Sequence, residues 1–291
     1  MPRSPRRTVS ESSTARWVPV THDVVWIEGA DAVSFADGQL SQDVVAMAPG
    51  EVRRSLLLEP RGKLRGIVWV LRGEGVVGLA TWAGTGHGAA ADLQRFLFRV
   101  DATVAVDAAV AGSWWPTLGA PDSATGWVGE RSSFRAVLPP GRVPAAISVG
   151  DAPHECPVPT TNEMLLWRIR AGEPVFGIDV DEDTIPQETG LVGEAVSFTK
   201  GCYLGQELVA RIDSRGHVNR MLRRVTIDGA PEAGAGIFIG EAAVGTLATM
   251  AAAGEGTEAL ALVRREAEPG SRGVVRWPGG EAPAQIVEIP R

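Results

Sequence analysis

The sequence predicts an α+β fold that ends in a small β-barrel or sandwich. Three observations carry this. Strand–helix–strand groups joined by hairpins fill the first half, a layered α+β pattern and not a doubly wound parallel sheet. The 291 residues include 35 Gly and 20 Pro, so turns are frequent and helices short. After Arg224, short apolar runs alternate with glycine turns as far as Ile289, the pattern of a small all-β unit.

The elements follow in order. Residues 24–28 form a short apolar strand, and Asp31 is placed to cap a helix carrying Val33 and Phe35. Residues 55–58 and 64–71 read as strands joined by the turn Glu59-Pro60-Arg61-Gly62-Lys63, and 76–81 completes a hairpin. Residues 89–98 form a helix with Leu93, Phe96 and Leu97 on one side, and strands follow at 103–106, 134–138 and 145–149. The Pro-rich polar stretch 148–161 marks a boundary. Asn162 then caps a helix with Leu165, Leu166 and Ile169 on its apolar face, ended by Gly172 and Pro174. Most of the nine tryptophans are expected in cores and hairpins, with one or two free to line a pocket for a flat ligand.

Composition excludes several functions. Apolar residues make up 44% and charged residues 22%, those of an ordinary soluble chain. The net charge of −7 is wrong for a protein that coats nucleic acid. The arginines 211, 215, 220, 223 and 224 offer a local basic strip, read first as a solvated helix end and strand. No run reaches the roughly 18 apolar residues of a membrane span. Residues 1–15 carry arginines without an apolar run behind them and read as a disordered tail, not a secretory signal. Two cysteines make no disulfide framework, and a reducing cytoplasm fits best. Cys156 lies in a linker and is given no role. Two cysteines and four scattered histidines do not supply four cysteine ligands for an iron–sulfur cluster of the chain's own. Gly84-Thr85-Gly86-His87-Gly88 lacks the spacing of a nucleotide loop and reads as a plain turn.

The richest stretch is Lys200-Gly201-Cys202-Tyr203-Leu204-Gly205-Gln206-Glu207, running on to Ala210-Arg211. Leu204, Leu208 and Ile212 recur every four residues, and Glu207 with Arg211 has the favourable order for a helical ion pair. Cys202 is then expected at the start of a helix, where free N–H groups and the dipole favour a thiolate, with Lys200 as a nearby cation. The alternative is a small buried residue in a strand-to-helix turn.

This stretch resembles the signature of the YgfZ family of folate-binding proteins, relatives of the glycine-cleavage T protein that support iron–sulfur enzymes and tRNA modification. Gly38-Gln39-Leu40-Ser41-Gln42-Asp43-Val44, Arg61-Gly62-Lys63, Arg168-Ile169-Arg170-Ala171-Gly172-Glu173-Pro174 and Ile185-Pro186-Gln187-Glu188 agree in order and spacing. The resemblance covers roughly residues 18–291. It implies the T-protein cloverleaf, three lobes around a central folate opening: a discontinuous first lobe at 16–65 plus 156–222, a second at 66–155, and a barrel over 223–291. It further implies Cys202 and Lys200 as the chemical residues and a tetrahydrofolate, or a derivative of it, as cofactor. Folate contacts are placed at Gln39, Asp43, Met164, Trp167, Gln206, Glu207 and Arg211. The partners implied are iron–sulfur enzymes or their assembly machinery.

Alternatives remain at several of these positions. Gln39 and Asp43 reach the ligand or cap the following turn. Met164 and His22 stand where relatives touch folate, without the aromatic side chains known from some of them. Trp26 and Trp167 are substitutes for stacking, or core residues. The T proteins that this region resembles carry acidic residues shortly after the glycine of Arg61-Gly62-Lys63, one of them catalytic in managing protons, whereas the matching Leu64-Arg65-Gly66-Ile67 holds none. A third reading is a scaffold whose pocket no longer binds folate.

Overall fold

The computed structural model describes residues 16–115, 125–139, 146–149 and 159–289. Cys156, His154 and the tail at 1–15 lie outside them. Eight strands form one antiparallel sheet: β1 (Arg16–Glu28), β2 (Val52–Leu58), β3 (Leu64–Arg72), β4 (Val76–Trp82), β5 (Thr103–Trp115), β6 (Gly126–Glu130), β7 (Ser133–Val137) and β8 (Ala146–Val149), in the order β2-β3-β4-β1-β5-β8-β7-β6. The boundary expected near residue 65 falls inside β3.

Period-two alternation in β1 explains why both faces of this sheet are covered. Val25 and Ile27 pack with Phe35 of α1 (Ala32–Gln39) and Leu93 of α2 (Gly86–Gln94). Val24 and Trp26 face the other way, into a core with Trp69, Trp127, Phe134 and Ile147. Trp26 sits 5.8 Å from Phe134 in an edge-on contact, so it is a core residue. The sheet curls until β6 returns to β3: the Trp127 amide donates to Gly50 O (2.8 Å) and its indole to Arg72 O (2.7 Å).

The remaining elements are α3 (Thr161–Ala171), a 3₁₀ turn (Pro186–Thr189), α4 (Val192–Ala195), α5 (Gln206–Arg215) and six strands, β9 (Arg220–Ile227), β10 (Gly236–Ile239), β11 (Ala242–Ala253), β12 (Gly256–Arg264), β13 (Arg272–Trp277) and β14 (Gly280–Val287). The six strands close into a barrel, β10-β11-β12-β9-β14-β13, around Val225, Ile237, Leu247, Val263 and Val275. Helix α3 lies on that barrel through Ile169, with Leu222, Ala251 and Leu260 beneath it. Segment 180–209 covers β2 and β3, burying Leu191, Ala195 and Val209 against Leu56, Leu64 and Ile67.

Of the two expected helix caps, Asp31 stands at the N-cap position of α1, whereas Asn162 does not stand at that of α3. Thr160, not Asn162, caps α3, in a reciprocal box with Glu163 (Glu163 N to Thr160 Oγ1 3.2 Å, Thr160 N to Glu163 Oε2 2.8 Å). Asn162 is inside the first turn and spends its amide on both backbone groups of Ala252 in β11. Asp31 makes no side-chain cap, because its carboxylate accepts the Asp101 N–H at 2.9 Å. Among the described residues no helix is long and apolar enough to cross a membrane, and no three His, Cys, Asp or Glu side chains cluster so as to hold a metal ion.

Candidate functional site

The loop from Ser197 to Leu204 joins α4 to α5 and carries Cys202, which is exposed. Lys200 pins this loop. Its side chain is 1% exposed. The ammonium donates to the carbonyls of Asp37 (2.5 Å), Leu40 (3.0 Å) and Gln42 (2.8 Å), and lies 3.0 Å from Asp37 Oδ1. Burial pulls its pKa below the usual lysine value, against the opposing pull of Asp37. The cation is committed to the end of α1 and is not a free charge beside the thiol.

A second fastening is glycine on glycine. Gly62 and Gly205 hold left-handed backbones, φ +84° and +80°. A Cβ on Gly205 would lie 2.6 Å from Glu59 O and 3.0 Å from Gly62 Cα; one on Gly62 would lie 2.8 Å from Gly205 O. The Arg61-Gly62-Lys63 turn and the cysteine loop thus dock backbone to backbone, which accounts for glycine in both motifs. Leu204 N adds a bond to Gly38 O (3.0 Å), and the Gln206 side chain accepts from Tyr203 N (3.2 Å).

Left-handed Gly205 also moves the helix start. Helix α5 begins at Gln206, so Cys202 precedes it by a short loop and does not occupy its N-terminus. Val209 of α5 is fully buried, whereas Leu204, Leu208 and Ile212 are half-buried. Glu207 and Arg211 both stay exposed and form no ion pair.

The other expected ligand residues spread over two regions. Asp43 caps a local turn, accepting Ala46 N at 2.9 Å. Gln39 lines a pocket of about 150 Å³ with Leu204 and the Arg65–Asp92 ion pair, and its buried Oε1 has no partner. Met164 and Trp167 lie half-buried on α3. His22 is buried within the sheet, its ring bonded to Thr81 O at 3.2 Å.

A cavity of about 650 Å³ lies between segment 187–198, the end of α5 and strand β9, inside the range of small-molecule sites. Leu191, Val192, Met221, Leu222 and Ile289 supply apolar wall, and Phe198, half-exposed, an aromatic face. Polar groups come from Gln187, Glu194, Asp213, Arg223 and Glu288. Gln187 donates to Val209 O (2.9 Å) but its Oε1 is unpartnered, as is Arg223 Nε. Behind Glu194 stands Arg54, 3.4 Å away and 2% exposed, itself clamped by the buried Glu173 carboxylate and stacked 4.7 Å above Trp69. None of Gln39, Asp43, Met164, Trp167, Gln206, Glu207 or Arg211 lines this cavity.

The sequence places Gln187 within the Ile185-Pro186-Gln187-Glu188 motif with no role of its own. By the same local reading Arg223 belongs to a solvated basic strip. The strip disperses in the fold: Arg220 pairs with Glu188 (3.0 Å), Arg224 with Glu258 (3.2 Å), Arg211 faces solvent and Arg223 joins the cavity. The signal in reach was strand spacing, since Arg223 and Arg224 are neighbours on β9 and must point to opposite faces.

No protein-family model matches the chain. It is 29% identical over 231 residues to the tRNA-modifying protein YgfZ of Klebsiella pneumoniae, covering 72% of this chain and 71% of that one. It is 41% identical over 105 residues to the mitochondrial iron–sulfur cluster assembly factor IBA57 of Mus musculus, spanning 34% of this chain but only 29% of that relative. In structure it superposes on the glycine cleavage system aminomethyltransferase T of Bartonella henselae with a TM-score of 0.82, over 96% of this chain and 86% of that one, at 18% identity. That last likeness speaks for the fold alone. By sequence and fold together, the chain is a YgfZ-like member of the superfamily built on the T-protein fold.

Proposed function

We propose that this chain is a folate-binding, YgfZ-like helper protein that supports iron–sulfur enzymes and tRNA modification, with the Cys202 thiol as its reactive group. The observation that carries the reading is the presentation of Cys202: an exposed thiol on a loop fastened by a buried lysine and a glycine-to-glycine contact. Such fastening holds a reactive side chain in one place at the surface. The names of the relatives supply the biological context.

The large cavity fits a reduced folate by its donor set. The pterin has a flat face, for which Phe198 and the apolar wall are suited. It has an N–H-rich edge, for which the Gln187 Oε1 acceptor and the Asp213 carboxylate are suited. A bound tetrahydrofolate would supply a one-carbon acceptor. The protein's own residues orient it and exclude water from one side.

Aminomethyl transfer is the competing reading, favoured by the fold. It is opposed at the place after Arg61-Gly62-Lys63, where Arg65 stands and is tied by two bonds to Asp92 (2.8 and 3.3 Å). A fold alone does not carry a reaction.

Two measurements test the proposal. Cys202→Ser should fold normally and fail to complement a strain lacking its own YgfZ; full complementation removes the thiol from the mechanism. Calorimetry with tetrahydrofolate should give saturable heat. Silence at millimolar ligand leaves a scaffold acting through Cys202 and protein contacts.

A further inference from the structure

Arg223 is a guanidinium in an unusual position. Its side chain is 18% exposed, yet it makes no side-chain hydrogen bond within the described residues. The nearest anion is Glu288, 3.8 Å away and itself 54% exposed. That is a long ion pair, beyond hydrogen-bond range. The neighbouring arginines are used differently: Arg220 forks both nitrogens onto Glu188 (3.0 and 3.0 Å), and Arg224 bonds Glu258. Its Nε–H is cut off from solvent without an acceptor, a costly state for a mostly buried group. Arg223 is held on β9 by backbone pairing to Ala261, and its side chain lines the 650 Å³ cavity.

We propose that Arg223 is the carboxylate anchor of the cavity, taking an anionic group of the ligand in a bidentate fork and displacing the weak Glu288 contact. A planar guanidinium matches a carboxylate in geometry as well as charge. The other charged groups of the wall, Glu194, Asp213 and Glu288, are all acidic. A ligand served by this wall therefore carries an N–H-rich end and a separate carboxylate end, and Arg223 fixes which way round it lies. This inference rests on the folate reading and adds the orientation, with the glutamate tail at β9.

Calorimetry with three probes tests it: tetrahydrofolate, a tetrahydropterin without the tail, and p-aminobenzoylglutamate, the tail without the pterin. Arg223→Gln should weaken tetrahydrofolate about ten- to a hundredfold and leave the tetrahydropterin within about twofold, with Arg223→Lys intermediate. Equal affinity of wild type and Arg223→Gln for tetrahydrofolate overturns the anchor and leaves the folate reading standing. If wild type binds neither pterin compound, the folate reading fails. In that case, heat from millimolar p-aminobenzoylglutamate that Arg223→Gln abolishes still supports the anchor, and no heat overturns it. Matched circular dichroism spectra and thermal midpoints exclude a folding defect.

Discussion

Replacing Lys200 with methionine removes the charge while keeping most of the side-chain volume. In the structure the ammonium serves three carbonyls and Asp37 from a position 1% exposed. Breaking a buried pair by deleting one partner costs about 3–5 kcal/mol. Asp37 is 18% exposed and its Oδ1 keeps the N–H groups of Val44 and Val45 (2.8 and 3.3 Å). It is therefore only partly stranded, and the expected loss is about 2–4 kcal/mol. Urea denaturation followed by tryptophan fluorescence reads this directly. Asp37→Asn and the double variant complete the cycle. Once Lys200 is gone, the Asp37 charge is a liability, so the double variant should lose at least about 1 kcal/mol less than the two single losses combined. A Lys200→Met loss under about 0.5 kcal/mol, or strict additivity, would refute the pinned-loop account and return Lys200 to the role of a free cation beside the thiol.

The other expectations concern pH and chemistry. Burial pushes the His22 imidazole down from 6.5 to about 4, outweighing the raising effects of the Thr81 carbonyl and Asp23. The unfolded chain takes up this proton below pH 6.5 and the folded one only near 4. Stability should therefore fall by about 3 kcal/mol as pH drops across that window. His22→Leu should remove that part of the slope; identical slopes for the two proteins would mean that the folded state accepts the proton. The chain should also release no folate-dependent ammonia from aminomethylated lipoyl carrier protein above a no-enzyme control, because residues 64–67 hold no carboxylate and the Arg65 that stands there is tied to Asp92. Turnover above that control would restore the transferase reading.

Much of the fold was legible because its signals are local. Alternation in residues 24–28, the turn at 59–63 and the left-handed Gly172 that ends α3 (φ +63°) each act within a few residues. Capping departs from the local signal where a distant partner takes the side chain: Asp31 holds the N-cap position of α1 but bonds Asp101, and Asn162 bonds Ala252. The site was legible in its motifs but not in its geometry. A Lys-Gly-Cys pattern suggests a cation acting on a thiol, and only the positions of Asp37, Leu40 and Gln42, more than 150 residues earlier, reveal that the cation is already used. Likewise, nothing local distinguishes Arg223 from Arg224.

The cysteine loop also explains why its motif is so compact. Phe198 lines the cavity, Lys200 is buried against the end of α1, and Cys202 is exposed, all within five residues. Each demand is met by a different surrounding surface: α4 and the barrel for Phe198, the 37–42 segment for Lys200, solvent for Cys202. An insertion between Phe198 and Cys202 would force one of the three out of place. Gly205, locked against Gly62 and Glu59 O, removes the slack at the other end. A loop fixed at both ends holds its thiol at a defined distance from the cavity, and that fixed distance is what a ligand-dependent thiol chemistry requires.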